Sequence, residues 1–269
     1  MPIELDRFVV LPPPLLGFLV LTLGSIIGSF ANVCIYRIPK GQSVVAPRSR
    51  CPRCERPIAG FDNVPVLSWL ILRGRCRSCR APISIRYPLV ELANGGLWLG
   101  LLIVHGPSVS TVVLALLSTA LLVLALIDLE HQILPDVITL PGIVLGVGCS
   151  FLPQWPVGPL VAIAAAAGGF LVFWGVAAAY RISRGVDGLG QGDWKLAALL
   201  GAFFGWQMLL FIVFAASIGG TAVGLVLATR RSAGLKHALP FGTFLGFAAI
   251  LAMFVGSPTL RWYGGFFRG

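Results

Sequence analysis

The fold class that the sequence predicts is an all-α protein that crosses a membrane several times. Apolar residues make up 57% of the 269 residues and charged residues only 11%, and the mean hydropathy is +0.90. Soluble domains carry about 25% charged residues, so this composition excludes a soluble fold. A bilayer core of roughly 30 Å needs about 20 apolar residues per helical crossing, and the chain contains apolar sequence for about eight crossings, some of them short.

Eight apolar segments are predicted as the transmembrane helices. Their predicted ranges are Leu15–Arg37, Leu89–His105, Thr111–Asp128, Val137–Leu152, Leu160–Arg181, Asp193–Gly205, Trp206–Arg230 and Phe241–Gly256. The sixth and seventh segments adjoin, so they could be one helix with a break. The first segment lacks a basic start and continues directly into a cysteine-rich loop, which is not typical of a removable signal peptide.

The basic residues predict the orientation in the membrane. The loop 37–86 contains 11 of the 20 Lys and Arg residues, against the two acids Glu55 and Asp62. The positive-inside rule places this loop in the cytoplasm, and eight crossings then place both termini outside. Anionic lipid headgroups beside the cytoplasmic loops explain the net charge of +10, so no nucleic-acid partner is needed.

Four cysteines of this loop form two C-x-x-C pairs. CPRC contains Cys51 and Cys54, CRSC contains Cys76 and Cys79, and 21 residues lie between the pairs. Such pairs predict one structural Zn²⁺ site with four thiolate ligands. Two disulfides are the alternative, which the reducing cytoplasm disfavours. The predicted fold therefore includes a small zinc-stapled cytoplasmic loop domain between helices 1 and 2.

The domain prediction follows from these features. Residues 1–38 contain the first transmembrane helix, residues 39–88 form the cytoplasmic Cys₄ zinc-binding domain, and residues 89–269 form a larger membrane domain. The remaining cysteines, Cys34 and Cys149, lie in predicted helices and are expected to be small apolar packing residues.

Two aspartates lie at the predicted cytoplasmic ends of apolar helices. Asp128 ends the third helix in LALIDLEHQILPDVITLP, and Asp193 follows two glycines in GLGQGD. Ionisable residues within membrane segments indicate functional sites. Two carboxylates at one depth can share a proton, so that one acts as acid and the other as base, as in aspartyl proteases. The structural alternative gives Asp193 a helix-capping role and pairs Asp128 with Lys195 or Arg181.

The neighbours of these aspartates carry further hypotheses. Asp136 follows Pro135 and can cap the next helix, and it is the alternative to Asp128 as a catalytic residue. Gly190 and Gly192 lack a Cβ, so they are predicted to let the substrate backbone approach Asp193 closely. The three histidines form no H-E-x-x-H motif, which argues against a zinc protease.

In this order, the motifs resemble those of the type IV prepilin peptidases. The resemblance runs nearly end to end and rests on GSFANVCIYRIP, the two C-x-x-C pairs, FDNVPVLSWLILRGRCRSC, ISIRYPLVE, IDLEHQILPDVITLP, GLGQGDWKLAALLGAFFGW and LPFGTFLG. G-x-G-D alone is a weak pattern, whereas its combination with the LPD segment and the cysteine pairs is specific. The resemblance implies that Asp128 and Asp193 are the catalytic pair and that residues 89–269 form the peptidase domain.

The resemblance also implies an activity and its partners. Members of this family cleave the basic leader from prepilins and pseudopilins at the cytoplasmic face of the bacterial inner membrane. They then N-methylate the new N-terminal residue, usually phenylalanine, with S-adenosylmethionine. No G-x-G-x-x-G follows a predicted strand, so a Rossmann-type site for this cofactor is not expected, and the methylation residues stay unassigned.

Two alternatives stay open at this point. The chain could be a non-peptidase transporter or membrane scaffold whose zinc-binding loop docks partners, or an enzyme with only one of the two activities. The sequence indicates neither the native prepilin nor the oligomeric state.

Overall fold

The computed structural model describes residues 11–153, 155–186, 189–230 and 240–266, and these residues are almost entirely helical. In this part of the chain the α-helices are α1 (Pro13–Arg37), α2 (Leu67–Ile71), α3 (Arg86–His105), α4 (Val109–His131), α5 (Asp136–Cys149), α6 (Pro159–Arg184), α7 (Gln191–Arg230) and α8 (Phe241–Phe266). All eight predicted segments are helical. The sequence did not predict α2, which lies in the cysteine-rich loop.

The predicted sixth and seventh segments are two helical stretches, labelled together as α7, that meet at Gly205. This glycine has φ 72 and ψ 175, a left-handed φ that residues with a Cβ rarely adopt. The break therefore falls at the predicted boundary between the two segments.

Five of the described helical segments are long and apolar enough to cross a membrane. They are Pro13–Lys40, Arg86–His105, Val109–His131, Pro159–Arg184 and Gln191–Leu227. The predicted fourth and eighth crossings correspond to the shorter apolar helices Asp136–Cys149 and Phe241–Val255. The all-α, multi-crossing fold class is confirmed.

The chain divides by its internal contacts into two compact units, one up to Val123 and one from Leu124 onward. In the first unit, α1 packs along α3 through small residues. A Cβ added to Gly24 would lie 2.9 Å from Cα of Gly95. Such small residues let helix backbones touch inside a membrane. The buried Asn94 donates to the carbonyl oxygen of Gly24 at 2.7 Å, so this polar side chain is satisfied within the apolar contact.

In the second unit, α7 packs against α5, α6 and α8. A Cβ added to Gly169 would lie 2.9 Å from the carbonyl oxygen of Ala197, and one added to Gly201 would meet the carbonyl oxygen of Ala165. The backbones of α6 and α7 are therefore in direct contact. Because the first turns of α7 are packed in this way, the position of Asp193 at its start is well defined.

Candidate active site

Asp128 lies near the end of α4 and is only 5% exposed. Its Oδ2 accepts a hydrogen bond from the main-chain N–H of Thr243 at 2.6 Å. The Thr243 hydroxyl lies 3.0 Å from the same oxygen and 3.1 Å from the carbonyl oxygen of Ala125. Since α8 begins at Phe241, this N–H belongs to the first turn, whose donors have no partner within the helix. Asp128 therefore caps α8 from another helix.

Leu134 joins this end of α8 to the start of α7. The side chain is buried and lies in the turn between α4 and α5. A Cβ added to Gly192 would lie 2.6 Å from its Cβ, and one added to Gly242 would lie 2.7 Å from its Cδ1 and 3.0 Å from Oδ2 of Asp128. The first turns of α7 and α8 therefore both approach Leu134 closely, because each has a glycine at the point of contact.

Asp193 follows Gly192 directly and is 7% exposed. Its N–H donates to the carbonyl oxygen of Gly190 at 3.1 Å, which forms the turn that begins α7. Leu134 contacts Gly192, next to Asp193, and also Gly242, whose added Cβ would lie 3.0 Å from Oδ2 of Asp128. Like-charge repulsion acts between the two carboxylates. Two acidic side chains that are distant in sequence therefore meet, both buried, in one site.

The two glycines of G-x-G-D have different surroundings. Gly192 packs against Leu134, whereas a Cβ added to Gly190 would meet only Oδ2 of Asp193, at an ordinary contact distance of 3.4 Å. Neither residue has a positive φ. Gly192 therefore serves helix packing, and Gly190 is the one that leaves space beside the carboxylate.

Asp136 has a different environment from Asp128. Its Oδ1 forms an ion pair with Nζ of Lys195 at 2.6 Å, and the Asp136 side chain is 57% exposed. An exposed pair of this kind contributes about 0–1 kcal/mol to stability. Lys195 is therefore the partner of Asp136, and the alternative that it pairs with Asp128 is wrong.

The four predicted cysteine ligands come together in the first unit. The Sγ atoms of Cys51, Cys54, Cys76 and Cys79 all lie within 4.8 Å of one another, with 3.7 Å between those of Cys51 and Cys79. Zn–S bonds of about 2.3 Å in a tetrahedron require sulfur atoms about 3.8 Å apart. The cluster therefore fits one tetrahedral metal ion.

The two cysteine pairs repeat one backbone geometry. The N–H of the first cysteine donates to the carbonyl oxygen five residues later, at 3.0 Å for Cys51 and 2.8 Å for Cys76. The residue after the second cysteine has a left-handed backbone, with φ 56 at Glu55 and φ 60 at Arg80. Each pair thus forms a tight turn in which a side chain occupies a conformation that favours glycine.

Main-chain hydrogen bonds lower the pKa of one thiol of this cluster. The N–H groups of Cys54 and then Arg53 point at the sulfur of Cys51 and lower the pKa of its thiol to about 6. The thiolate is the form that binds metal, so these hydrogen bonds favour metal binding at this sulfur.

Sequence reasoning missed several residues of these sites. Thr243, Gly242 and Leu134 lie in the LPFGTFLG and LPDVITLP segments, which supported the resemblance without suggesting a role. It also missed Glu91, a buried carboxylate of α3 whose Oε2 accepts the N–H of Val66 at 2.8 Å. Val66 has φ 61, which is unfavourable for a β-branched residue, so Glu91 holds a strained turn just before α2.

Comparison with known proteins identifies the family. Residues 22–105 match the bacterial peptidase A24 N-terminal domain, and residues 115–225 match the type IV leader peptidase family. No solved structure matches the chain.

Several relatives are named prepilin leader peptidase/N-methyltransferase. That of Burkholderia pseudomallei (strain 1026b) is 36% identical over 97% of this chain and 92% of its own length. That of Aeromonas hydrophila is 37% identical over 91% of this chain and 92% of its own length. That of Myxococcus xanthus is 44% identical over 81% of this chain and 66% of its own length. With matches of this identity and extent, the chain belongs to the type IV leader peptidase family.

Proposed function

We propose that this protein hydrolyses the leader peptide from type IV prepilins and pseudopilins, with Asp128 and Asp193 as the catalytic pair, and N-methylates the new N-terminus. The observation that carries the peptidase assignment is that both carboxylates are buried in one site, where Leu134 contacts the glycine before Asp193 and the glycine that lies against Asp128. The names of the relatives support both activities.

The family and the apolar helices indicate a multi-pass protein of the bacterial inner membrane. The cysteine cluster and the two aspartates are assigned to the cytoplasmic side. The support is the concentration of basic residues in the loop 37–86, since such loops stay on the cytoplasmic face next to anionic lipids.

The mechanism begins with the protonation of the pair. Two carboxylates this close share one proton near neutral pH. The main-chain N–H of Thr243 donates to Oδ2 of Asp128, and a donated hydrogen bond favours the ionised form of a carboxyl group. Asp128 is therefore the base and Asp193 carries the shared proton. Gly190 leaves room beside Asp193 for the substrate backbone.

The reaction then proceeds by general acid–base catalysis. Asp128 takes a proton from a water molecule, and the water oxygen bonds to the scissile carbonyl carbon while Asp193 gives its proton to the carbonyl oxygen. When the C–N bond breaks, the proton on Asp128 moves to the leaving nitrogen and one hydroxyl proton returns to Asp193. The products are the leader carboxylic acid and the amine of the mature protein, and the pair is restored.

The cysteine cluster is assigned as a structural Zn²⁺ site. Four thiolates would fill all tetrahedral positions of a bound Zn²⁺ and leave none for water or substrate. Residues 39–88 are proposed as a zinc-binding domain in which the metal would hold the two turns together. About one zinc per chain is expected by elemental analysis of the purified protein, and Cys54→Ser should lower that content while Cys34→Ser should not.

The second activity needs a methyl donor. S-adenosylmethionine supplies a methyl group on a positively charged sulfur. The described residues contain no strand–loop–helix unit of the dinucleotide-binding kind, since their only β-pairs are the isolated bridges Arg50–Pro57 and Arg75–Pro82. No residue is assigned to this donor.

The test is cleavage of a prepilin by purified variants. Asp128→Asn and Asp193→Asn should each abolish cleavage, because removing one of two catalytic groups that act together loses nearly all the activity. Asp136→Asn is the matched control and should stay within a few-fold of wild type, because it removes only an exposed ion pair.

The same experiment separates the alternatives. Near-normal cleavage by either active-site variant would contradict the catalytic assignment. Wild-type protein that cleaves no prepilin would favour a transporter or scaffold. The mass of the product with and without S-adenosylmethionine reports separately on methylation.

A further inference from the structure

The short helix α2 exposes its apolar side chains and buries its polar one. Leu67, Leu70 and Ile71 are 57%, 57% and 75% exposed. Ser68 is buried, and its hydroxyl donates to the carbonyl oxygen of Phe61 at 3.0 Å. A helix at a protein surface that faces water has the opposite arrangement, with its apolar side chains turned toward the interior.

The residues before α2 enlarge this apolar surface. Phe61 and Val64 are also exposed, and both main-chain groups are held at α2 by Ser68, whose hydroxyl accepts the N–H of Val64 at 3.2 Å. Single exposed apolar side chains are normal, whereas a large exposed group of them marks an interaction site. The α2 surface is defined here as the exposed side chains of Phe61, Val64, Leu67, Leu70 and Ile71.

A contact with a membrane-crossing helix places α2 at the level of the bilayer. The N–H of Val66, directly before α2, donates to Oε2 of Glu91 at 2.8 Å. Glu91 belongs to α3, which begins at Arg86 and is long and apolar enough to cross a membrane. At a rise of 1.5 Å per residue, Glu91 lies about 7 Å along the axis from the start of α3. The start of α2 is therefore beside the first turns of a transmembrane helix.

The structure around α2 fixes its direction. Val66 before it and Arg73 after it both have a left-handed backbone, with φ 61 and φ 51. Such conformations persist only where the surrounding structure holds them. Within α2, Nε1 of Trp69 donates to the carbonyl oxygen of Ile83 at 3.0 Å, and a Cβ added to Gly74 would lie 2.8 Å from the indole ring. The side of α2 that carries Trp69 is therefore packed against the loop, and the α2 surface faces outward.

The charges near the α2 surface favour an anionic partner. The exposed side chains of Arg73 and Arg75 follow α2 directly, and the loop 37–86 contains 11 of the 20 Lys and Arg residues of the chain. Apolar side chains beside basic ones are typical of segments that lie in the interface of a bilayer. There the apolar groups enter the acyl region and the basic groups stay next to anionic headgroups.

We propose that the α2 surface is a membrane-interface anchor, whose side chains insert between the headgroups and the upper acyl chains of an anionic leaflet. Because α1 and α3 cross the membrane on either side of the loop in sequence, the anchor needs no separate targeting. It holds the cysteine cluster close to the lipid surface. The inference goes beyond the proposed peptidase function and does not depend on the catalytic assignment.

The experiment measures the depth of α2 in the full-length protein, reconstituted in vesicles of phosphatidylcholine and phosphatidylglycerol. An environment-sensitive fluorescent amino acid, introduced by codon suppression so that the cysteines stay unmodified, replaces Ile71. The matched control carries it in place of Ser78, an exposed residue of the turn CRSC. Phosphatidylcholine brominated near the start of its acyl chains should remove most of the fluorescence at position 71 and little at position 78. Iodide on both sides of the membrane should do the reverse.

A probe in place of Leu67 repeats the measurement, so misfolding of one labelled protein leaves the test intact. Leu70→Asp should reduce the quenching by brominated lipid at position 71, because a charged side chain is costly in the hydrocarbon region, whereas Ser78→Asp should not.

Three results would overturn the anchor. Equal quenching by iodide at positions 71 and 78 would show that the α2 surface lies in water. Protection of position 71 from both quenchers would show that protein covers it. Protection that appears only when a prepilin is added would assign the surface to the substrate.

Discussion

Replacing Gly242 with alanine should displace the start of α8 from Asp128. The added Cβ would lie 2.7 Å from Cδ1 of Leu134, whereas carbon atoms in contact are about 3.5–4.0 Å apart. Relief of this overlap needs a movement of about 0.8 Å. If α8 moves, the 2.6 Å hydrogen bond from the N–H of Thr243 to Asp128 lengthens beyond the usual limit of about 3.2 Å.

The expected loss of activity follows from that hydrogen bond. A hydrogen bond to a charged group contributes about 1.5–3 kcal/mol, and each 1.36 kcal/mol in the barrier changes the rate about tenfold. Gly242→Ala should therefore slow prepilin cleavage by about 10- to 150-fold.

The chain offers a rescue variant and a matched control for this prediction. Leu134→Ala removes Cδ1, so Gly242→Ala should cost less activity in the Leu134→Ala background than in the wild type. Gly192→Ala would place its Cβ 2.6 Å from Cβ of Leu134, and Leu134→Ala retains that atom. The same background should therefore not rescue Gly192→Ala.

The assay is the cleavage rate of one prepilin by the wild type, the three single variants and the two double variants. Thermal stability is measured on the same samples, because a buried Leu→Ala change alone costs about 2–5 kcal/mol. Equal rescue of both glycine variants, or of neither, would show that Leu134 does not set the distance between α8 and Asp128.

Three further predictions address the remaining interactions. Thr243→Val removes the hydroxyl beside Asp128 and should slow cleavage by about tenfold. Thr139→Val is the control and should have little effect, because among the described residues the Thr139 hydroxyl donates to the carbonyl oxygen of Pro135, next to its own helix. The left-handed backbone after Cys54 costs a residue with a Cβ about 1–2 kcal/mol, and Glu55→Gly removes this cost. The variant should therefore lose zinc to a chelator more slowly than the wild type. An equal or faster loss would argue against strain at this turn. The hydrogen bond from Arg77 lowers the pKa of Asp62. This pair therefore stabilises the loop at pH values above the usual carboxyl pKa of about 3.9, and its contribution is lost as the pH falls. Asp62→Asn should increase limited proteolysis at pH 7 and make no difference in acid.

The sequence by itself determined the apolar helices and the identity of the reactive groups. Apolar segments of bilayer length must be helical because the membrane offers no hydrogen-bond partner to an open backbone. The C-x-x-C spacing brings two sulfurs of each pair to one side of a turn, and this geometry is local. For the same reason Gly205 could be recognised as a boundary within α7, because its effect depends only on its own backbone.

Only the tertiary structure decided which groups meet. Asp128 and Asp136 are close in sequence, yet one is buried against Thr243 and the other is exposed with Lys195. A sequence pattern cannot distinguish them, because the partner residues come from other helices. Likewise, Gly192 was predicted to leave space for the substrate, but the side chain of Leu134 occupies the space beside it. Contacts between distant segments depend on how all the helices pack together. In a membrane protein the lipid-facing and the bundle-facing surfaces of a helix are both apolar, so the sequence carries little information about which helix faces contact each other.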